Sequence, residues 1–367
     1  MEQQLAQKAN QAETKCNSCG AVLHYTPGTT LLTCQYCDAE NQIESKSVPI
    51  EELDFDSFLK DYLNNKSNTQ KVTLVKCDAC GSETTFEGKL VASDCAFCGS
   101  PIQVKDGTTC DIIKPKSLLP FSIEQKKAFE QFSKWIKSLW FAPNDLKKFV
   151  THPEKLQGIY VPYWTYDADT YSNYTGLRGV YYTTTKTINI NGKNQTQTVK
   201  QIKWYPTAGN LSHFFDDVLV LASTSLTKKY AEALEPWDLD KLIPFDEKYL
   251  AGFKAESYHV DLKQGYEDAK KKMETVIRQM IKRQIGGDQQ QILTLSTNHN
   301  NVTFKHILLP IWLSTFRYRN KVYRFMINGR TGEVQGERPY SAWKITFFVL
   351  AILLIIGGIV YLINQNN

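Results

Sequence analysis

The sequence predicts an α+β protein: two small zinc-ribbon β modules, an α+β domain with antiparallel strands, and one C-terminal transmembrane helix. Three observations carry this reading. Eight of the nine cysteines fall into two sets of identical spacing. A long middle region alternates aromatic and β-branched residues with polar ones, interrupted by two helix-period segments. Finally, Ile345–Ile363 is an uncharged run of 19 residues.

Residues 1–14 are a polar tail, and Met1–Lys15 has no apolar stretch of the kind a secretory signal needs. Residues 15–45 form the first ribbon, with Cys16-x2-Cys19, fourteen intervening residues, and Cys34-x2-Cys37. Residues 71–110 form the second, with Cys77-x2-Cys80, fourteen residues, and Cys95-x2-Cys98. A Cys-x2-Cys pair makes a tight knuckle, and two knuckles supply four thiolates at tetrahedral zinc distances of about 2.3 Å. Gly20 and Gly81 follow the first knuckles, where the turn calls for a positive φ.

A constant shift of 61 residues maps every ligand of one set onto the other. It also maps Lys15 onto Lys76, Tyr25 onto Phe86, Tyr36 onto Phe97 and Ile43 onto Val104. One hairpin module has been duplicated. Such a module is too small for a core of its own, so metal supplies much of its folding energy. Disulfides and redox-active pairs are the alternatives; the first suit an oxidising compartment and the second normally accompany a βαβ pattern. The expectation is two structural zinc ions whose closed four-sulfur shells exclude catalysis. Cys110 is read as a core or surface thiol.

The linker 46–70 contains Ile50, Leu53, Phe58, Leu59, Tyr62 and Leu63 at helical spacing. From 111 to 340 the sequence reads as an α+β cytosolic domain. Ser122 is the expected cap of a helix bearing Phe129, Phe132, Trp135, Ile136 and Leu139. Strands follow from Gly158, with a hairpin turn expected at Asn191-Gly192. Helices are expected near Leu226–Leu234 and over Asp261–Gln284. The second has Asp261 as cap, buries Tyr266, Met273, Val276, Ile277, Met280 and Ile281, and ends at Gly286-Gly287. Ile307–Trp312 (ILLPIW) echoes Ile159–Trp164 (IYVPYW) at a shift of 148, which predicts two related strand units. A last hairpin is expected to turn at Asn328-Gly329.

At about 1.5 Å per residue, Ile345–Ile363 reaches roughly 28 Å, the thickness of a bilayer core. The span is assigned to 344–363, with Trp343 and Tyr361 near its ends and 364–367 as a short outer tail. Arg330, Arg338 and Lys344 precede it and no charge follows it. The positive-inside rule then predicts a single-pass cell-membrane protein with its N-terminal bulk in the cytoplasm. That compartment keeps thiols reduced and available to metal.

Net charge is +5, from 43 Lys+Arg against 38 Asp+Glu, too mild to argue for nucleic acid. No Walker A, His-Glu-x-x-His or Gly-x-Ser-x-Gly motif occurs, and the six histidines lack ligand spacing. Asp216-Asp217 near His213 reads as a solvated loop, and Lys270–Lys272 with Lys282-Arg283 as a helix face that could meet anionic headgroups. The expectation is no catalytic residues, no cofactor beyond zinc, and no enzyme.

With these segments in view, the chain resembles a bacterial family of TFIIB-type zinc-ribbon membrane proteins. Its members are often labelled primosomal protein N′-like helicases. The resemblance rests on the two CxxCG…CxxC sets, KPKSLLPF, GIYVPYWTYDADTYSNYTG and LPIWLSTFRYRNKVYRFMINGRTGEVQGERP before a single span. With no ATPase motif, the helicase label does not transfer. The resemblance implies a membrane-anchored adaptor or scaffold whose partners are the bilayer and SPFH (flotillin-like) or phage-shock-type membrane proteins. The competing reading is a membrane-tethered nucleic-acid-binding ribbon protein linked to DNA replication.

Overall fold

A computed structural model of the chain describes residues 15–44, 49–65, 69–79, 81–85, 92–95, 97, 100–103, 108–144, 146, 156–190, 193–318 and 321–365. The described residues begin with three antiparallel strands, β1 (Leu23–Tyr25), β2 (Leu31–Cys34) and β3 (Glu40–Gln42), in the order β1-β2-β3. A short β4 (Leu53–Asp54) leads into α1 (Phe55–Asn65). Next come β5 (Thr69–Lys76), β6 (Glu83–Thr85), β7 (Ala92–Asp94), β8 (Pro101–Gln103), β9 (Thr108–Ile113) and β10 (Ser117–Leu118).

The main body continues with α2 (Gln125–Ser138) and two very long strands, β11 (Gln157–Ile190) and β12 (Lys193–Leu221). After them come α3 (Lys228–Glu232), β13 (Ile243–Pro244), β14 (Lys254–Glu256) and α4 (Leu262–Ile285). The chain closes with β15 (Gln289–Tyr318), β16 (Lys321–Asn328), β17 (Val334–Gly336) and α5 (Ala342–Gln365). It is a mixed α/β molecule dominated by antiparallel pairing, with one apolar helix at its C-terminal end.

Twelve of these strands form one sheet centred on the antiparallel β11–β15 pair. IYVPYW and ILLPIW lie directly against each other there: Val161 faces Leu309, Ile159 faces Ile311, and Tyr160 faces Pro310. Since a shift of 148 also carries Val161 onto Leu309, that pair marks a local two-fold axis perpendicular to the sheet. The flanking strands obey it. β14 runs parallel to β11 at Ile159–Tyr160, and β10 runs parallel to β15 at Ile307–Leu308. β12 joins β11 at Tyr163, and β16 joins β15 at Ile311. Each half therefore reads short strand, helix, long strand, return strand, and each donates its short strand to the long strand of the other half.

Period-two alternation sorts the apolar side chains onto two faces. Ile159, Val161, Tyr163, Ile307, Leu309, Ile311 and Leu313 share one buried cluster with Val75, Cys77, Cys95 and Phe97. On the opposite face, Tyr160, Leu308 and Trp312 pack beneath α2, and Trp164, Tyr166 and Phe304 beneath α4. Both faces are covered, so the strand centres read as nearly unbroken apolar runs. Burying each such side chain contributes about 1.5–3 kcal/mol.

α4 shows how the helices fit. The Asp261 carboxylate accepts the Gln264 N–H at 2.8 Å, and Gly286 (φ 65°) ends the helix. Its buried stripe is Leu262, Gly265, Ala269, Met273, Ile277, Ile281 and Ile285. This corrects the stripe expected from sequence: Val276 is exposed, while Tyr266 and Met280 are half-buried, because one residue per turn meets the sheet. A Cβ at Gly265 would sit 2.5 Å from the Tyr166 hydroxyl, so only glycine lets the helix approach. Glu124, not Ser122, is the N-cap of α2, without a side-chain cap bond, because the Ser122 and Ile123 N–H groups are engaged by Gly329 O.

Two further expectations are amended. The last hairpin turns over 329–333 rather than at Asn328-Gly329 alone. The Asn328 side chain accepts the Arg330 and Thr331 N–H groups, and Gly332 adopts φ 82°. β5, β6 and β9, which sequence assigns to the second ribbon, are hydrogen-bonded into the large sheet through the β6–β14 pairing of Thr85 with Ala255. The expected hairpin turn at Asn191-Gly192 lies outside the described residues, and pairing resumes at Ile190 with Lys193.

Candidate metal centre

Three tight turns with the same pair of backbone bonds present Cys16, Cys34 and Cys77, and Cys95 shares the first bond of the pair. At Cys16, the N–H donates to Ala21 O at 2.8 Å while Gly20 N–H donates to Cys16 O at 2.8 Å. At Cys34, the N–H donates to Ala39 O at 3.0 Å and Asp38 N–H returns to Cys34 O at 3.0 Å. Cys77 repeats this with Ser82 O and Gly81 N–H at 2.8 and 2.7 Å, and the Cys95 N–H donates to Ser100 O at 2.8 Å. The residue four beyond the cysteine needs a positive φ: Gly20 has 74°, Asp38 54° and Gly81 76°. Sequence reasoning identified the glycines; Asp38 fills the same role at the second knuckle because aspartate tolerates the left-handed region.

In the first module the turns bring four sulfurs together. Cys16 and Cys37 Sγ lie 3.6 Å apart, Cys19 and Cys34 3.5 Å, and Cys19 and Cys37 3.4 Å. These are too long for a disulfide, whose sulfurs are about 2.05 Å apart. They approach the edge of about 3.8 Å that four sulfurs make around a tetrahedral ion at about 2.3 Å. The Cys16/19/34/37 cluster can thus hold a metal ion. Cys16 and Cys34 are buried, Cys19 and Cys37 exposed. The Cys19 and Ser18 backbone groups hold the Cys16 thiol down to about 6, and those of Tyr36 and Cys37 lower Cys34. Both shifts favour the thiolate a metal requires. Contacts with the neighbouring sulfurs instead leave Cys19 raised and push Cys37 up to about 12, as four crowded thiols cannot all ionise without a cation among them.

Of the second set, Cys77 and Cys95 are buried, matching Cys16 and Cys34. The Ser82 hydroxyl lies 3.2 Å from Cys95 Sγ. Cys80 and Cys98 lie outside the described residues. Cys110 sits in β9 opposite Val72. The two modules meet opposite faces of the large sheet. Leu23, Tyr25, Leu32 and Ile43 of the first join the cluster under α2, and Tyr25 N–H donates to Ala251 O at 2.9 Å. Phe97 of the second joins the cluster on the other face.

A second group of acidic residues was not anticipated. Asp167, Asp216 and Asp217 meet where β12 and β15 both bulge against β11. Asp216-Asp217 is therefore no solvated loop. Asp217 adopts φ 50° within β12, donates its N–H to Asp167 at 2.6 Å, and pairs with Lys305 Nζ at 2.7 Å. Lys305 also contacts Glu52 at 2.9 Å and is 7% exposed. Burial pushes the Asp167 carboxyl up to about 7, and the neighbouring Glu52 adds to the shift. Lys305 bridges Asp217 and Glu52, while Asp167 accepts from the Asp217 N–H and the Thr303 hydroxyl, so the group reads as a structural clasp between the 49–54 segment and the sheet. His213 stacks edge-on against Phe215, with ring centroids 4.5 Å apart. Three lysines of the basic face of α4 are likewise engaged: Lys270 with Glu267, Lys271 with Asp268, and Lys272 with Glu232.

Comparison with known proteins adds one relative. The chain is 24% identical over 259 residues to Uncharacterized protein YdjG of Bacillus subtilis (strain 168). The match spans 67% of this chain and 73% of that protein. No family model matches, and no solved structure matches.

Proposed function

We propose that this protein is a single-pass membrane adaptor whose two four-cysteine modules hold structural zinc and whose sheet body engages protein partners on the cytosolic side of the cell membrane. The observation that carries the reading is α5. Its 24 residues have a mean hydropathy of 2.8 over the most apolar window, and none of that window is buried against the rest of the protein. In water this would expose far more contiguous apolar surface than a soluble monomer tolerates. A bilayer is the solvent that suits it.

Zinc is the ion that best fits four thiolates in a closed shell, and such a shell leaves no open position for substrate. The modules then act as rigid scaffolding that fixes surfaces, and the protein is no enzyme. The resemblance to TFIIB-type zinc-ribbon membrane proteins supports this reading and suggests SPFH or phage-shock-type partners. Arg338 and Lys344 before the apolar run favour the cytosolic orientation.

Alkaline carbonate extraction of native membranes, with protease protection of an N-terminal tag, tests the anchor and its orientation. Affinity purification from those membranes followed by mass spectrometry tests the adaptor role. Recovery of protein partners is expected. Salt-dependent retention of DNA by the purified protein with no protein partner would instead favour the nucleic-acid-tethering reading.

A further inference from the structure

We infer that the end of α2 and the turn after it, residues 134–144, form a second membrane contact: an interfacial pad that rests on a bilayer with anionic headgroups beside α5. This rests on the reading of α5 as a span. The geometry that points to it is a latch at the helix base. Lys344 Nζ donates to Trp140 O at 3.1 Å, to Ala142 O at 2.8 Å and to Asn144 Oδ1 at 2.7 Å. An ammonium has three donors, and all three are spent on this one turn. The Ser341 N–H donates to Phe141 O at 2.8 Å, and the Phe141 ring meets Phe348 edge-on at 5.3 Å. Lys344 immediately precedes the apolar run and Phe348 lies within it. The turn is therefore held level with the start of the span, where the membrane–water interface must fall.

The side chains at that level suit an interface. Trp140 is 75% exposed and Trp343 71%, with Tyr340 also exposed. Tryptophan and tyrosine concentrate at headgroup depth because the ring is apolar and its N–H or O–H remains wet. Lys134 and Lys137, on the last turns of α2, are exposed, and Arg338 packs over Tyr340 at 5.3 Å. These cations stand beside the aromatic group and complement anionic lipid. Arg330 does not share this role, since it forms a paired contact with Asp238 (2.6 Å at its shortest) and donates to Pro120 O. The pad would fix the body's tilt relative to the bilayer, which one flexible anchor leaves free.

The test uses the full chain reconstituted in phosphatidylcholine vesicles with phosphatidylglycerol at about three to one. Tryptophan emission is quenched by a nitroxide carried at headgroup depth. Trp343→Phe should remove about half of the quenching, and adding Trp140→Phe should remove most of the rest. In pure phosphatidylcholine the Trp140 share should shrink. If the doubly substituted protein is quenched as strongly as Trp343→Phe alone while still resisting carbonate extraction, the pad proposal is overturned and the patch belongs to a protein partner or a second copy. Release of the unsubstituted protein by carbonate would overturn the span reading and the pad with it.

Discussion

Trp164 and Trp312, 148 residues apart, make the same hydrogen bond in the two halves of the body: each indole N–H donates at 2.8 Å to the carbonyl just before the N-cap of a sheet-covering helix, Val260 O before α4 and Ile123 O before α2. Each ring also packs on an aromatic at the matching place: Tyr258 lies 5.1 Å from Trp164 and Phe121 4.9 Å from Trp312. The bond locks helix entry to strand position in each half, so both tryptophans act as clamps.

Replacing either clamp with phenylalanine leaves a void in the core and a carbonyl without its donor, buried at Ile123 and partly buried at Val260. Trp164→Phe and Trp312→Phe should each cost about 2–4 kcal/mol. Chemical denaturation of the detergent-solubilised protein measures both. A cost near zero at either position would contradict the equivalence of the halves.

The proposed zinc content is countable. Elemental analysis of the purified protein should give two zinc ions per chain, and Cys34→Ser should reduce this to one. Since Leu23, Tyr25 and Leu32 join the core under α2, loss of the first ion should also lower the melting temperature of the whole body. A stoichiometry unchanged by Cys34→Ser would remove the first module from the metal assignment.

Lys305 is the central cation of a buried cluster, with Asp217 and Glu52 on either side. Lys305→Met keeps the side-chain volume but removes the cation from half-buried Asp217 and from Glu52, which is 42% exposed. The expected loss is about 1–3 kcal/mol. Adding Asp217→Asn should recover part of it, and a double-mutant cycle checks that coupling.

Glu256 gives a pH dependence with a defined sign. Burial raises its carboxyl to about 8, while Ser223 donates to it at 2.8 Å. His259 and Glu83 are its titratable neighbours, and burial lowers the His259 pKa. A raised carboxyl binds more protons folded than unfolded between about 4.3 and 8. Its contribution to stability is thus fully present at low pH and falls as pH rises, by at most about 1.4 kcal/mol per pH unit. Glu256→Gln should flatten this dependence, so the variant gains on the parent from pH 6.5 to 8. Unfolding free energies at those two pH values decide it.

Much of the molecule was legible in the chain because it rests on short-range rules. Knuckle spacing, the glycines at positive φ, the Asp261 cap and the apolar C-terminal run each follow from local backbone geometry or from the length of a single helix. The echo of IYVPYW in ILLPIW was also readable, since identical local demands select similar residues.

What the chain could not disclose depends on contacts between distant segments. That the two echoing segments pair with each other about a two-fold axis, and exchange β10 and β14 across it, is a matter of register. Lys305 reads as an ordinary surface charge until the bulge in β12 places Asp217 beside it and the β4–β15 pairing brings up Glu52. Lys344 looks like a membrane-flanking cation, yet its three hydrogen bonds go to the turn after α2. Sequence alone determined the four-cysteine spacing and the apolar helix, because both are properties of neighbouring residues. Tertiary structure alone decided that the cysteine modules lie on opposite faces of one sheet, because burial and charge pairing depend on which surfaces meet.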